Sequence, residues 1–350
     1  MNIAEPRFLV IRRDNIGDLV CATPLIHALR QHYPAATITA LVNSYNAPVL
    51  ANNPDIDAVF AYTKAKHRPP GTSVLKVYWD RLRLFAHLRK HRFDYAILAA
   101  PGFQPRLIRL ARLAGAKHIL GFIESTKPGA SAIDIGVPYE AGKPQHEVEA
   151  VFQLLTMLGI NELPPPLQVL PQASEVARAK DVLYSAIPAR SPLLIGIHIS
   201  ARKPGQRWPS QNFASLMKCL HEEHRTAFML FWSPGSAHNP LHPGDDEKAA
   251  EILAAVEGLP VLAYPTHHLS ELIAGLSLCD AVICSDGGAM HLAAGLGKPI
   301  LCFFGNSDAS RWHPWGVPYR LLQPASKLVA DISVEEVQAG FSALLQPPQT

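Results

Sequence analysis

Residues 281–316 constrain this chain more than any other stretch. They read AVICSDGGAMHLAAGLGKPILCFFGNSDASRWHPWG. The apolar run Ala281-Val282-Ile283-Cys284 has the length and composition of a buried parallel strand. Ser285-Asp286-Gly287-Gly288 follows, then a segment of helical composition from Ala289 to Ala294. Gly295 and Gly297 stop that helix before a second apolar run, residues 300–304. Strand, glycine-rich turn, helix and second strand make a βαβ unit, which commits this part of the chain to α/β architecture. Glycines at such a turn let the backbone approach a ligand. The free N–H groups of the first helical turn, with the helix dipole behind them, favour an anion. The pattern fits a phosphate or diphosphate seat; it also fits a tight turn with no ligand.

The same alternation runs through both halves of the sequence. Strands are predicted at residues 8–11, 37–42, 58–60, 95–99 and 119–122, and again at 193–199, 227–232 and 261–263, with helices between them. No hairpin signal interrupts, so each half predicts a doubly wound parallel sheet. At 350 residues the chain suits two such domains. Pro164-Pro165-Pro166 reads as a stiff linker. Residues 1–165 are therefore taken as an N-terminal domain and 166–330 as a C-terminal domain. Residues 331–350 carry a last helix that could pack back on the N-terminal domain.

Charge is unevenly spread. Residues 1–165 hold 19 Lys and Arg against 13 Asp and Glu, whereas 166–350 hold 13 against 16, so the net +3 hides a basic first half. Between Lys76 and Lys117 there are ten basic and two acidic residues. Arg106, Arg109 and Arg112 recur at three-residue spacing, a basic ridge on a helix. Such a face suits an anionic partner (phosphorylated glycolipid, membrane surface or nucleic acid) or serves as solvated surface. Residues 78–91 read as a basic amphipathic helix with Trp79, Leu82, Phe85, Ala86 and Leu88 lining its apolar face. No apolar run approaches the ~20 residues of a membrane span, and residues 1–7 lack the apolar stretch of a signal peptide. The five cysteines form no CxxC pair. They are expected as small core side chains in a reducing cytoplasm.

Four loops fall at predicted carboxyl ends of strands, where open α/β sheets bind ligands: those at Asp18, 200–207, 233–246 and 286–288. Asp18 is either a general base or the cap of the helix it opens. Arg202, Lys203 and Arg207, with the glycine turn, are equipment for a diphosphate. Two domains facing across a cleft would converge these loops. One side would neutralise a diphosphate leaving group and the other would take a proton from the nucleophile. Asp55-Ile56-Asp57 resembles the DxD motif of metal-dependent sugar transferases, but it follows Asn53-Pro54 and suits a turn better. No metal site and no cofactor is expected. The absence of GxGxxG after the first strand disfavours a dinucleotide oxidoreductase.

Several blocks together resemble the glycosyltransferase family 9 heptosyltransferases. They are Asn15-Ile16-Gly17-Asp18 with Thr23-Pro24-Leu25, Arg207-Trp208-Pro209, the run from Ser285 to Ala294, and Phe304-Gly305-Asn306-Ser307-Asp308 through Trp312-His313-Pro314-Trp315-Gly316. The resemblance spans nearly the whole chain. It implies a GT-B fold and an inverting, metal-independent transfer of heptose from ADP-heptose to a phosphorylated acceptor of the lipopolysaccharide inner core. The setting it implies is the cytoplasmic face of an anionic inner membrane, with peripheral contact and no nucleic acid. By the same resemblance Asp18 is the general base. Asp286 is the carboxylate that binds the sugar, Gly287, Gly288 and Ala289 are the diphosphate loop, and His291 is the histidine after it. Ser200 would contact phosphate and Asp245 or Asp246 the ribose; separately, the charge of the basic ridge suggests that Arg106, Arg109 and Arg112 meet the phosphorylated acceptor. The chain departs from the family at Ala201, where a hydroxyl residue is usual, and at Gln206, where a lysine is usual. The competing readings are a nucleotide-sugar epimerase of the same fold and a non-catalytic nucleotide-sugar-binding protein.

Overall fold

The computed structural model describes residues 5–63, 74–124, 127–140, 142–187, 193–239 and 243–346. The chain divides into two compact units, Met1–Pro166 and Leu167–Thr350. In the first, strands β1 (Arg7–Ile11), β2 (Thr37–Asn43), β3 (Ala58–Tyr62), β4 (Tyr95–Leu98), β5 (His118–Ile123) and β6 (Ile135–Pro138) form a parallel sheet in the order β3-β2-β1-β4-β5-β6. In the second, β7 (Leu194–His198), β8 (Ala227–Trp232), β9 (Val261–Pro265), β10 (Ala281–Ser285), β11 (Ile300–Phe303) and β12 (Tyr319–Leu322) are ordered β12-β11-β10-β7-β8-β9, again all parallel. The two orders are the same walk. Three strands run outward from the centre, and the chain then returns to the centre and runs outward the other way. Each sheet thus has a switch point, between β1 and β4 and between β7 and β10, where loops diverge and leave a crevice at the carboxyl ends.

The central strands read as unbroken apolar runs because helices cover both faces of a parallel sheet. Phe8, Leu9, Val10 and Ile11 are buried, as is the whole of β10. Two strands, β6 and β12, escape the sequence reading for the same reason inverted. They are edge strands, one containing Gly136 and Pro138 and the other exposing Tyr319 and Arg320, so neither presents an apolar run. All five cysteines are free and four are buried, the expected core role.

The C-terminal helix Val334–Leu345 packs on the helix Ser210–His224 and on β11 and β12, and its Val337 and Phe341 belong to the core of the second unit. In the helix Val74–Lys90, Phe85 and Leu88 are buried, but Trp79 and Leu82 are 59% and 62% exposed. The buried stripe is narrower than the apolar content suggested. No helix among the described residues is long and apolar enough to cross a membrane.

Candidate active site

In the first unit the chain leaves β1 through Arg12-Arg13-Asp14-Asn15 and enters the five-residue helix Ile16–Val20. Asp18 sits in its first turn and turns back to cap it: the Asn15 backbone N–H and side-chain amide donate to Oδ2 at 2.8 and 2.9 Å. The other carboxylate oxygen, Oδ1, accepts from Nη2 of Arg12 at 2.7 Å. Capping and a chemical role are therefore not alternatives here, because the cap fixes the orientation of the carboxylate. Burial alone would push the Asp18 carboxyl up. The Arg12 charge and the Asn15 bonds outweigh it and hold the group below the usual carboxylate range. The side chain keeps 14% of its surface open.

Arg12 was not among the residues singled out from sequence. Its guanidinium is 2% exposed and spans the switch point: Nη1 donates to the Ala99 carbonyl, just beyond β4, at 2.6 Å. Nη2 also donates to Oε1 of Glu147 at 2.7 Å. Glu147, on the first turn of the helix Glu147–Phe152, is itself 1% exposed.

The second unit repeats this device with different chemistry. The loop after β7 meets the loop after β10 through Gln206, which is 5% exposed. Its Nε2 donates to Oδ2 of Asp286 at 2.9 Å and to the Ser307 hydroxyl, while its carbonyl accepts from Ser285 Oγ at 2.7 Å. So the position where a lysine is usual is occupied by a neutral amide aimed at the expected sugar-binding carboxylate. Arg202 and Lys203 are exposed on the loop, and Arg207 spends its Nε on the Ala201 carbonyl.

Gly287 has φ +155°, a conformation L side chains rarely adopt, and a Cβ there would meet nothing within 4 Å. Backbone geometry rather than crowding calls for glycine at this position, and the turn stays open above the helix Gly288–Gly295. Ala289 and His291 follow on that helix, both buried; the His291 ring meets Trp312 edge-on at 5.9 Å. At Gly305 the reason is the opposite: a Cβ would lie 2.6 Å from the Gly205 carbonyl oxygen, so the loop after β11 rests directly on the loop after β7.

Ser200 Oγ accepts from the Ser233 N–H at 2.9 Å, tying the loops after β7 and β8. Asp246 is occupied in holding the second of these: its two oxygens accept from Trp232 Nε1 at 2.7 Å and from the Gly235 N–H at 2.8 Å. Asp245 is buried and lines a hollow of about 350 Å³ with Arg207, Trp208, Lys248 and Glu251. Lys248, another residue the sequence reading passed over, donates to the Ile199 carbonyl at 3.0 Å. Burial brings its pKa down to about 8, and burial brings nearby His198 down to about 4, leaving that imidazole neutral.

Arg106, Arg109 and Arg112 all stand on the solvent side of the helix Pro105–Ala114, and no described carboxylate pairs with them. Arg109 and Arg112, but not Arg106, line a groove of about 420 Å³ together with Arg89 and the apolar Phe103, Ile108 and Leu113. Asp55 and Asp57 are structural: Asp55 accepts from or shares a proton with His27 Nδ1 at 2.9 Å, and Asp57 accepts from Arg30 at 2.7 Å. They clip the turn into β3.

The model of glycosyltransferase family 9 (heptosyltransferase) matches residues 81–331. Lipopolysaccharide heptosyltransferase 2 of Salmonella typhimurium is 27% identical over 312 residues, covering 86% of this chain and 83% of its own. Among solved structures, a glycosyl transferase family 9 protein from Veillonella parvula superposes with a TM-score of 0.81 at 21% identity, covering 99% and 98% of the two chains. An E. coli heptosyltransferase solved with ADP gives 0.73 at 17% identity, covering 97% and 99%. At these identities the structural matches establish the shared two-domain GT-B fold.

Proposed function

The chain belongs to glycosyltransferase family 9, the heptosyltransferases, and we propose that it transfers heptose from ADP-heptose to a hydroxyl of the lipopolysaccharide inner core with inversion, using Asp18 as general base. The observation that carries this reading is the setting of Asp18: a carboxylate oriented by Arg12 and Asn15 at the switch point of the first sheet, with 14% of its surface still open. In the proposed step the acceptor oxygen bonds to the anomeric carbon as the bond from that carbon to the diphosphate breaks. ADP leaves with the electron pair, and the hydroxyl proton passes to Asp18. A carboxylate held low is fully ionised near neutral pH. It becomes an effective base as the attacking oxygen acidifies on bonding.

The second unit supplies the donor site in this reading. Asp286 binds the sugar, Gly287, Gly288 and Ala289 with Ser200 bind the diphosphate, His291 lies beside them, and Asp245 contacts the ribose. Arg202, Lys203 and Arg207 supply positive charge at the loop. Among the described residues no group of three or more His, Cys, Asp or Glu is arranged to hold a metal ion. In this reading the diphosphate charge is met by the N–H groups and cations of these loops. Turnover from ADP-heptose is expected to be the same in EDTA as with added Mg²⁺; a strict requirement for a divalent ion would overturn the donor-site reading.

Acceptor recognition is assigned to Arg106, Arg109 and Arg112, which also suit peripheral contact with an anionic inner membrane on its cytoplasmic face. Reversing all three to Glu should raise acceptor KM by about tenfold or more, the scale of one lost charge-assisted hydrogen bond, and leave ADP affinity unchanged. Wild-type acceptor kinetics in that variant would reduce the ridge to solvated surface.

A further inference from the structure

After Trp208, Arg12 is the largest fully buried side chain among the described residues. A guanidinium in that position needs full compensation, and it has more than one carboxylate could give. Asp18 and Glu147 each accept from the same Nη2 at 2.7 Å, the Ala99 carbonyl accepts from Nη1, and the Asp14 carboxylate lies 3.4 Å from Nε. Glu147 is brought in from 135 residues away. Its helix is fixed by its own cap, His146 Nδ1 accepting from the Val148 N–H and Glu149 accepting from the His146 N–H. Capping the short helix at Asp18 requires none of this.

We propose that Arg12 and Glu147 are the positioning residues of the reaction, a buried Glu147–Arg12–Asp18 triad in which Arg12 aims and ionises Asp18 while Glu147 keeps Arg12 paired when Asp18 takes up the proton. The inference rests on the reading of Asp18 as general base. Its logic is a charge count. With Asp18 ionised, one buried cation stands between two carboxylates, Glu147 buried and Asp18 half-buried. With Asp18 protonated, the remaining Arg12–Glu147 pair is still neutral. Without Glu147, protonating Asp18 would strand a buried cation whose nearest other carboxylate, Asp14, is 41% exposed. Asp18 would then resist the proton it must accept, becoming a weaker base. Beside the triad also lie the Asp14 carboxylate named above and the buried thiol of Cys21, which burial pushes well above its ordinary value, so the thiol stays neutral.

The two residues therefore act on Asp18 in opposite directions, which a merely structural role would not produce. The test is a carboxyl ¹³C NMR titration of Asp18 in the unliganded full-length protein, its signal assigned by its loss in Asp18→Asn. Arg12→Met should raise the Asp18 midpoint and Glu147→Gln should lower it. Glu147→Gln should also lower kcat, on the order of tenfold, a part of the 10²–10⁴ a positioned base supplies, with acceptor KM little changed. The near-isosteric Glu147→Gln keeps the test decisive if Arg12→Met does not fold. Midpoints that stay put, or that move in the same direction in variants with wild-type circular dichroism, overturn the proposal. Retained turnover in Asp18→Asn sinks the general-base reading itself. Abolished turnover there with unmoved midpoints sinks the triad alone.

Discussion

Asp18→Asn is expected to lose turnover by a factor on the order of 10²–10⁴, the contribution of a positioned general base, while still binding ADP normally. The carboxylate is the only part of the side chain that can take a proton from the acceptor hydroxyl; the isosteric amide cannot. The structure also refines the stability cost. In Asp18 both oxygens accept: Oδ1 from Arg12, Oδ2 from two donors of Asn15. An amide has one oxygen and one NH₂ group. If its oxygen stays on Arg12, the NH₂ group must face Asn15, whose own amide can turn to accept but whose backbone N–H cannot. One capping bond is lost, costing about 1 kcal/mol, too little to unfold the protein. A folded Asp18→Asn protein that transfers sugar within a few-fold of wild type would remove Asp18 from the mechanism.

Trp208→Ala is expected to have the largest effect on stability. The indole is 1% exposed, packs edge-on to Phe213 with ring centroids 4.9 Å apart and tilts against Phe303 at 5.0 Å. Its Nε1–H donates to the Ile332 carbonyl at 2.9 Å. Truncating a buried aromatic to alanine costs about 3–5 kcal/mol through lost burial and the cavity left behind, and here a buried carbonyl also loses its partner. For a unit of this size that lowers the thermal transition by about 10 °C or more. The loss should reach the site as well. Trp208 stands two residues after Gln206, the residue that joins the loop to Asp286, and ties that loop to the segment leading into the C-terminal helix. ADP affinity should therefore fall in Trp208→Ala even at temperatures where the protein remains folded. Trp208→Phe, which keeps most of the packing and loses the hydrogen bond, should fall between the two. A Trp208→Ala protein that melts with wild type would show that the indole is not the anchor of the loop.

The parts of the site that could be read in the sequence are those where a short apolar strand runs directly into a glycine-bearing turn. Asn15-Ile16-Gly17-Asp18 and Ser285-Asp286-Gly287-Gly288 both announce a strand end, a tight turn and a helix start within a few residues, and both lie beside the switch points of their sheets. What could not be read is whatever depends on long-range pairing. Glu147 is simply an acidic residue in a helical first turn, favourable there for the dipole alone, until the fold brings it onto Arg12. Gln206 reads as a lost lysine until it is seen joined to Asp286, 80 residues on. Trp79, Leu82, Phe85 and Leu88 share one apolar face by spacing, yet the helix Val74–Lys90 buries Phe85 and Leu88 and leaves Trp79 and Leu82 exposed. Periodicity marks which side chains share a helix face; it does not say how much of that face the sheet can cover.

The central claim, heptose transfer to an inner-core hydroxyl, is tested most directly by following both products of one reaction. Wild-type protein would be incubated with ADP-heptose and a purified, phosphorylated inner-core acceptor, ADP release measured, and the acceptor analysed by mass spectrometry. The account predicts one acceptor molecule heavier by a single heptose residue for every ADP released. ADP released with the acceptor unchanged and free sugar in solution would contradict it, as an epimerase of this fold would behave. Tight ADP binding with no ADP release would contradict it equally.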